Sequence, residues 1–421
     1  MKVLVVGMEK SGRAAAEFLR ARGDDVTATD LNPHDVPGFR LQSDELFAEP
    51  WERIVLSPGV PADLAPLEQA RARGVDVIGE VELAAPYLQG PVIGITGSNG
   101  KTTTTSLVGH ILMSAGKAVQ VGGNIGTPVI AMAATSRSGQ WNVLELSSFQ
   151  LETIRTFRAH VGVCLNITQN HLDRHGTFDK YAAAKGNLFR TQQATDHAVL
   201  NADDEMCRSF AALTAGDTHW FSQRNLHEGK AWLGDAPLMD LDEIPIPGSH
   251  NAENVLAAAS TALIAGVERE QIRAAVRTFK AVEHRLEFVA EIRGVKFYND
   301  SKATSVDATT KALDSFAGKL WVILGGKDKG SDYTLLRDRL HQKAHAALLI
   351  GAAAPKIREH LNGAVRLVDA GTIEQAVADA WAQAKPGDTV LLAPACSSFD
   401  QFRSYEHRGE VFKNLVKVLG K

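Results

Sequence analysis

The chain has 421 residues, 44% hydrophobic and 22% charged, with 45 basic against 49 acidic side chains and a formal charge of −4. That balance suits a globular protein too long for one ordinary core, so about three domains are expected, with no basic field for nucleic acid or an anionic membrane. Met1–Val6 lacks the basic and apolar regions of a secretory signal, no stretch nears the ~20 apolar residues of a spanning helix, and Cys164, Cys207 and Cys396 show no CxxC spacing. The expectation is a cytoplasmic monomer with reduced thiols and no membrane span.

From the amino terminus, short β-branched runs alternate with Ala-rich amphipathic stretches, the pattern of parallel sheets flanked by helices. Val3–Val6, Val26–Thr29 and Ile54–Leu56 read as strands, and the first is followed by the helix-like Arg13–Arg22. The turn Gly7-Met8-Glu9-Lys10-Ser11-Gly12 has Glu9 where GxGxxG places its middle glycine. A carboxylate there would repel a pyrophosphate, so as dinucleotide evidence the turn is weak. A domain boundary is expected at 89/90, within Leu88-Gln89-Gly90-Pro91.

Val92–Thr96 reads as a strand that runs into Gly97-Ser98-Asn99-Gly100-Lys101-Thr102-Thr103, with a helix-like stretch beyond. Glycines let backbone N–H groups converge on phosphate oxygens, and the helix start adds a favourable dipole. Lys101 would reach the β- and γ-phosphates of a nucleotide, and the Thr102 hydroxyl would bind Mg²⁺. The first glycine of GxxxxGK[ST] falls on Ile95, so the nucleotide reading rests on the strand before the loop and the helix after it.

Val143–Leu146 is the next strand, and it carries Glu145 at its carboxyl end, an ordinary strand-end acid taken alone but, beside that loop, a place suited to magnesium. Val161–Leu165 then leads into Asn166-Ile167-Thr168-Gln169-Asn170-His171-Leu172-Asp173-Arg174-His175. His171 and His175 lie four apart but lack a third protein ligand for zinc. His171 is left as a magnesium or phosphate contact, or as a buried structural histidine. After the helix-like Asn254–Ala265 a second boundary is expected at 281/282. Strand candidates Glu287–Ile292, Val295–Tyr298, Leu320–Leu324, Ala347–Ile350 and Thr389–Ala393 follow it.

Taken together, Thr96–Thr102, Glu145–Gln150 and Asn170–Asp173 resemble the Mur ligases, ATP-dependent amino-acid-adding enzymes of peptidoglycan synthesis. The likeness extends through Gly248–Asn254, His284–Glu287, Asn299–Thr304 and Pro394–Phe402, nearly the whole chain in the family's order. The shortened phosphate loop is that family's own variant. The resemblance implies an α/β fold of three domains: a Rossmann-like UDP-sugar-binding domain (1–89), a central P-loop ATPase-like domain with a mostly parallel sheet (90–281), and a Rossmann-like amino-acid-binding domain (282–421). The branch that fits best implies UDP-N-acetylmuramoyl-L-alanine and D-glutamate as substrates, joined through an acyl phosphate, with ATP and two Mg²⁺ sites.

By this resemblance Gly97, Ser98, Asn99, Gly100, Lys101, Thr102 and Thr103 hold the triphosphate, and Thr102 with Glu145 binds one magnesium. His171 and Lys185 serve the second, with Lys185 as a carbamate because an ammonium would be repelled; Lys101, His171 and Lys185 form the catalytic set. Asn254, Arg285 and Asp300 match nucleotide contacts, which implies ATP between the central and C-terminal domains. Lys10, Ser11, Asp30, Ser57 and Gly59 match uridine and diphosphate positions, and Asn124 and Gln150 match sugar and diphosphate contacts. Lys302, Thr304, Lys329, Ser398 and Tyr405 match positions for the incoming amino acid, with Lys327 two residues from Lys329 and Tyr405 where the family has Phe.

Without the resemblance, Lys185 is a solvated helix-face residue, Asn251 and Asn254 are helix caps, Arg285 is a surface charge and Ser57-Pro58-Gly59 is a turn. Three other functions compete: an amide ligase of the same superfamily with another amino acid or acceptor, such as a folylpolyglutamate synthase; a kinase or NTPase on the same loop; and a nucleotide-sensing scaffold.

Overall fold

The computed structural model describes residues 1–280 and 282–420. Two compact units are distinguished, one built from Met1–Leu241 with Glu253–Arg277, the other from Asp242–Ala252 with the chain from Thr278 onward. The boundary expected at 281/282 falls on residue 281, outside the described residues.

The first unit contains two parallel sheets. In the earlier one β1 (Lys2–Val6), β2 (Asp25–Asp30), β3 (Phe39–Leu41), β4 (Arg53–Leu56) and β5 (Asp76–Gly79) lie in the order β3-β2-β1-β4-β5. The helix Lys10–Ala21 buries Gly12, Ala15, Ala16 and Leu19 on one face, the spacing of a single helical stripe. Gly12 must be glycine, since a Cβ there would stand 1.7 Å from the Gly7 carbonyl oxygen.

The second sheet of this unit comprises β6 (Val92–Thr96), β7 (Val119–Gly123), β8 (Trp141–Glu145), β9 (Val161–Cys164), β10 (His197–Asn201) and β11 (Asp217–Phe221), ordered β11-β10-β9-β6-β8-β7 and parallel throughout. β6 and β9 are buried at every position, which is why they read as unbroken apolar runs instead of alternating. Cys164 and Cys207, far apart in sequence, meet in this core with sulfurs 3.3 Å apart. An antiparallel meander of β12 (Leu226–His227), β13 (Lys230–Leu233) and β14 (Ala236–Asp240) follows.

Glu82 fastens the two sheets of this unit together. Its carboxylate accepts the N–H groups of Arg155, Thr156 and Phe157 and the Thr156 hydroxyl, at 2.5–3.1 Å.

In the second unit, β15 (Glu287–Ile292), β16 (Val295–Asn299), β17 (Leu320–Gly325), β18 (Ala344–Ile350), β19 (Leu367–Gly371) and β20 (Thr389–Leu392) form one sheet, ordered β15-β16-β20-β17-β18-β19. Only the β15–β16 hairpin is antiparallel; the alternation of elements had suggested parallel strands alone. Apolar clusters cover both faces of this sheet. Among the described residues no helix is long and apolar enough to cross a membrane.

Candidate active site

β6 ends at Thr96, and the chain turns through Gly97 (φ 148°) and Gly100 (φ 83°) into the helix Lys101–Ser114. A Cβ on Gly100 would meet Asn254 Oδ1 at 2.4 Å, so glycine there gives a positive φ and room for a close neighbour. Lys101 Nζ donates to the carbonyls of Gly97 (2.9 Å) and Ser98 (3.0 Å), folding its ammonium over the loop. Thr102 and Thr103 are buried in the first helical turn.

The loop is braced from β9's end. Asn166 accepts the Ser98 N–H on its carbonyl (2.8 Å) and the Asn99 N–H on its side chain (2.9 Å). The Ser98 hydroxyl bonds the Tyr181 hydroxyl (2.8 Å) and the main chain of Thr168. Ser98 therefore sets the shape of the loop through its side chain.

Glu145 closes β8 and is buried. Its Oε1 accepts Asn124 Nδ2 at 2.8 Å, and its Oε2 is buried without a hydrogen-bond partner. Lys185, 1% exposed, projects from the helix Phe178–Arg190 and donates to Gly97 O (2.9 Å) and Thr96 Oγ1 (3.3 Å). Burial, and then the neighbouring Lys101 charge, lower its pKa to about 7. The two lysines thus meet at one carbonyl, that of Gly97.

The histidine pair separates into two environments. His171 is exposed, in a left-handed conformation (φ 53°), with its ring 5.0 Å from that of Phe149. His175 is buried, stacked on Phe149 at 5.3 Å and bonded to the Ser148 hydroxyl at 3.0 Å. His175 is thus packed into the core, whereas His171 sits at the surface.

At the carboxyl ends of β1, β2 and β4 the loops holding Gly7–Ser11, Asp30 and Ser57–Gly59 converge. Asp30 accepts the N–H groups of Met8 (2.7 Å) and Asn32 (3.1 Å); burial raises its pKa, but these donors outweigh it and hold the carboxylate ionised. Glu9 and Lys10 are exposed at the helix start, where Glu9 makes no capping bond. Arg174, from the short helix Leu172–His175 beyond β9, donates to the carbonyls of Gly59 (3.2 Å) and Val60 (2.7 Å). Gln150 Oε1 takes part in a capping box with Ser147, a role its sequence position had not suggested.

In the second unit, Asp300 is buried against Arg285, whose Nε is buried without a partner. Burial raises the Asp300 pKa to about 6, opposed by the Arg285 charge and by the Leu286 N–H (3.2 Å). Lys302 Nζ lies 5.6 Å from the centre of the Tyr405 ring, and Ser301 Oγ donates to Tyr405 O at 2.7 Å. Ser398 is buried next to Ser397, whose main chain pairs with Lys327, not with Lys329; both lysines are exposed.

Comparison with known proteins fits this geometry. The profile described as the Mur ligase middle domain matches residues 95–262, and that of the Mur ligase glutamate ligase domain matches residues 284–396. A UDP-N-acetylmuramoylalanine–D-glutamate ligase of Solibacter usitatus is 64% identical, with 100% of this chain and 98% of that protein covered. The chain belongs to the Mur ligase family. Similarly named ligases of Acidobacterium capsulatum (53% identical; 99% and 96% covered) and Pelotomaculum thermopropionicum (41%; 100% and 98%) accompany it. Among solved structures, the UDP-N-acetylmuramate–alanine ligase of Thermotoga maritima (TM-score 0.63, 18% identity, 100% of both chains) shares the fold. So does the same organism's MurF ligase, solved with ADP (TM-score 0.63, 17% identity, 99% and 95% covered).

In this Mur ligase two side chains, one in each unit, escaped the sequence reading. Tyr181, four residues before Lys185, braces Ser98. Arg408, 0% exposed, reaches from the helix Tyr405–Leu419 to Ser301 Oγ (3.0 Å) and to the carbonyls of Ser301 (2.8 Å), Cys396 (3.2 Å), Ser397 (3.4 Å) and Gly325 (3.5 Å). It thereby fixes the loops that bear Lys302, Lys327 and Ser398. Its signal was a cation on an otherwise apolar helical stripe with Gly409, Phe412 and Val416.

Proposed function

We propose that this Mur ligase adds D-glutamate to UDP-N-acetylmuramoyl-L-alanine at the expense of ATP, in the cytoplasm, during peptidoglycan synthesis. The observation that carries the substrate choice is full-length similarity at 64% identity to a ligase of that name. The phosphate loop supplies the chemistry. A carboxylate oxygen of the alanyl group attacks the γ-phosphorus and ADP leaves; the amine of D-glutamate then attacks the acyl phosphate, loses a proton and displaces inorganic phosphate.

Within this reading the loop amides from Gly97 to Thr103 and the Lys101 ammonium stabilise charge on the transferring phosphoryl group. Asn254, Arg285 and Asp300 contact the nucleotide, and the unpartnered Arg285 Nε supports such a role. Glu145 Oε2, buried and unpartnered, and the Thr102 hydroxyl suit a hard divalent cation, with His171 and Lys185 serving a second. Bound magnesium would neutralise phosphate charge. The lowered pKa of Lys185 supports an amine that is partly neutral at pH 7, the form that captures CO₂ as a carbamate.

Residues 1–89 then bind the UDP-sugar through Lys10, Ser11, Asp30, Ser57 and Gly59, joined by Asn124 and Gln150. Residues 90–281 bind ATP, and residues 282–421 bind D-glutamate through Lys302, Thr304, Lys329, Ser398 and Tyr405. Two lysines and hydroxyl donors match its two carboxylates. The test is ADP and phosphate release with UDP-N-acetylmuramoyl-L-alanine and a panel of amines. D-glutamate should stimulate release well above L-glutamate, and Lys101→Ala should abolish turnover while the UDP-substrate still binds. Stimulation by a different amine would move the enzyme elsewhere in the superfamily.

A further inference from the structure

Glu80 has no part in the chemistry above, yet it is one of the most constrained acids in the first unit. It follows β5 directly, at the carboxyl edge of its sheet, and is 2% exposed. Its Oε1 accepts the Ile130 N–H at 2.6 Å, and the Val129 N–H also faces it, so it satisfies the start of the helix Val129–Ala133. Its Oε2 is buried and has no partner. A buried carboxyl oxygen left unpaired is destabilising, which calls for an explanation.

The surroundings supply one. Glu80 lines a cavity of ≈ 10 Å³ together with Ser57, Pro58, Val60, Phe149, Gln150 and Thr153. That is room for about one water, and the wall includes polar groups able to hold it. The cavity joins the Ser57–Val60 loop of one sheet to the Ser147–Gln150 turn of the other. Glu80 also acts on a third loop. From Ile130 the chain runs back through Pro128 to Asn124, whose N–H and Nδ2 donate to Glu145 O (2.9 Å) and Oε1 (2.8 Å). Gly123 shares this tight packing, since a Cβ there would stand 2.3 Å from Glu145 O.

We infer that Glu80 is a positioning residue for the sugar-nucleotide substrate: one carboxyl oxygen pins the helix behind the Asn124 loop while the other holds a water shared with the Ser57 and Gln150 loops. This rests on the assignment of those three loops to the UDP-substrate. Burial raises the Glu80 pKa to about 7, so a large share of molecules carry a neutral carboxyl able to donate to that water.

The experiment compares wild type, Glu80→Met and Glu80→Gln by KM for the UDP-substrate, KM for ATP, kcat and melting temperature. Met keeps the volume but removes both polar functions, whereas Gln keeps an acceptor for Ile130 and a donor for the water. Glu80→Met should raise the KM for the UDP-substrate about tenfold, with the ATP KM and kcat within about twofold, and Glu80→Gln should stay within about threefold of wild type throughout. An unchanged UDP-substrate KM in Glu80→Met, or an equal rise in both KM values, would overturn the inference. If Glu80→Met does not fold, Glu80→Gln decides alone: a UDP-substrate KM raised tenfold in a protein of wild-type melting temperature also overturns it. Failure of the underlying assignment looks different, because wild type itself would then show no saturable use of the UDP-substrate.

Discussion

Asn124 Nδ2 donates to Glu145 Oε1 at 2.8 Å and so turns the other carboxylate oxygen, Oε2, into a buried acceptor with nothing to accept. Such an atom is a poor structural element and a good cation ligand. Glu145→Gln should therefore lower turnover at saturating magnesium by at least about 100-fold while leaving thermal stability equal to or above wild type. Loss of stability in step with activity would mean that Glu145 is structural.

Gly100 tests the shape of the loop. Its φ of 83° and the 2.4 Å that would separate an added Cβ from Asn254 Oδ1 both oppose a side chain. Gly100→Ala should cost about 1–2 kcal/mol by urea unfolding and raise the KM for ATP more than that for the UDP-substrate.

Arg408 makes its five contacts to Ser301, Cys396, Ser397 and Gly325, and burial lowers its pKa only to about 10, so it stays charged at neutral pH. Arg408→Met removes all five donations at once, although Ser397 O keeps the Lys327 N–H. A loss of about 2–4 kcal/mol and a larger rise in KM for D-glutamate than for ATP are expected, measured by denaturant melts and steady-state kinetics.

His250 gives the second unit a pH signature. Burial first, then the Lys311 charge, lower its pKa to about 4 from an ordinary 6.5. The folded chain thus binds fewer protons than the unfolded chain between pH 4 and 6.5. The stability tied to the neutral ring is complete above the ordinary value and is lost as pH falls through that window, by at most about 3 kcal/mol. Unfolding midpoints of His250→Asn against wild type should show a difference that shrinks from about pH 7 to about pH 4.

How far the sequence disclosed this site depends on whether each signal was local. The phosphate loop was readable because a strand, two glycines and Lys101-Thr102 lie in one continuous stretch, and β6 and β8 appear where β-branched runs placed them. β7 (Val119–Gly123), rich in glycine, and the short β3 and β5 offered too little apolar periodicity to stand out. The antiparallel meander β12–β14 was hidden for the same reason. Glu80, Tyr181 and Arg408 escaped because their partners lie 50, 83 and as many as 107 residues away. For Lys185 the helix face alone suggested solvent; only the fold buries it against Gly97.

The most direct test of the central claim follows an oxygen atom. UDP-N-acetylmuramoyl-L-alanine labelled with ¹⁸O in its alanyl carboxylate is turned over with ATP and D-glutamate, and the released phosphate is examined by mass spectrometry. Passage through an acyl phosphate places one labelled oxygen in each inorganic phosphate and leaves the other in the new amide. Phosphate released without label, or released at the same rate when D-glutamate is omitted, would contradict the assignment.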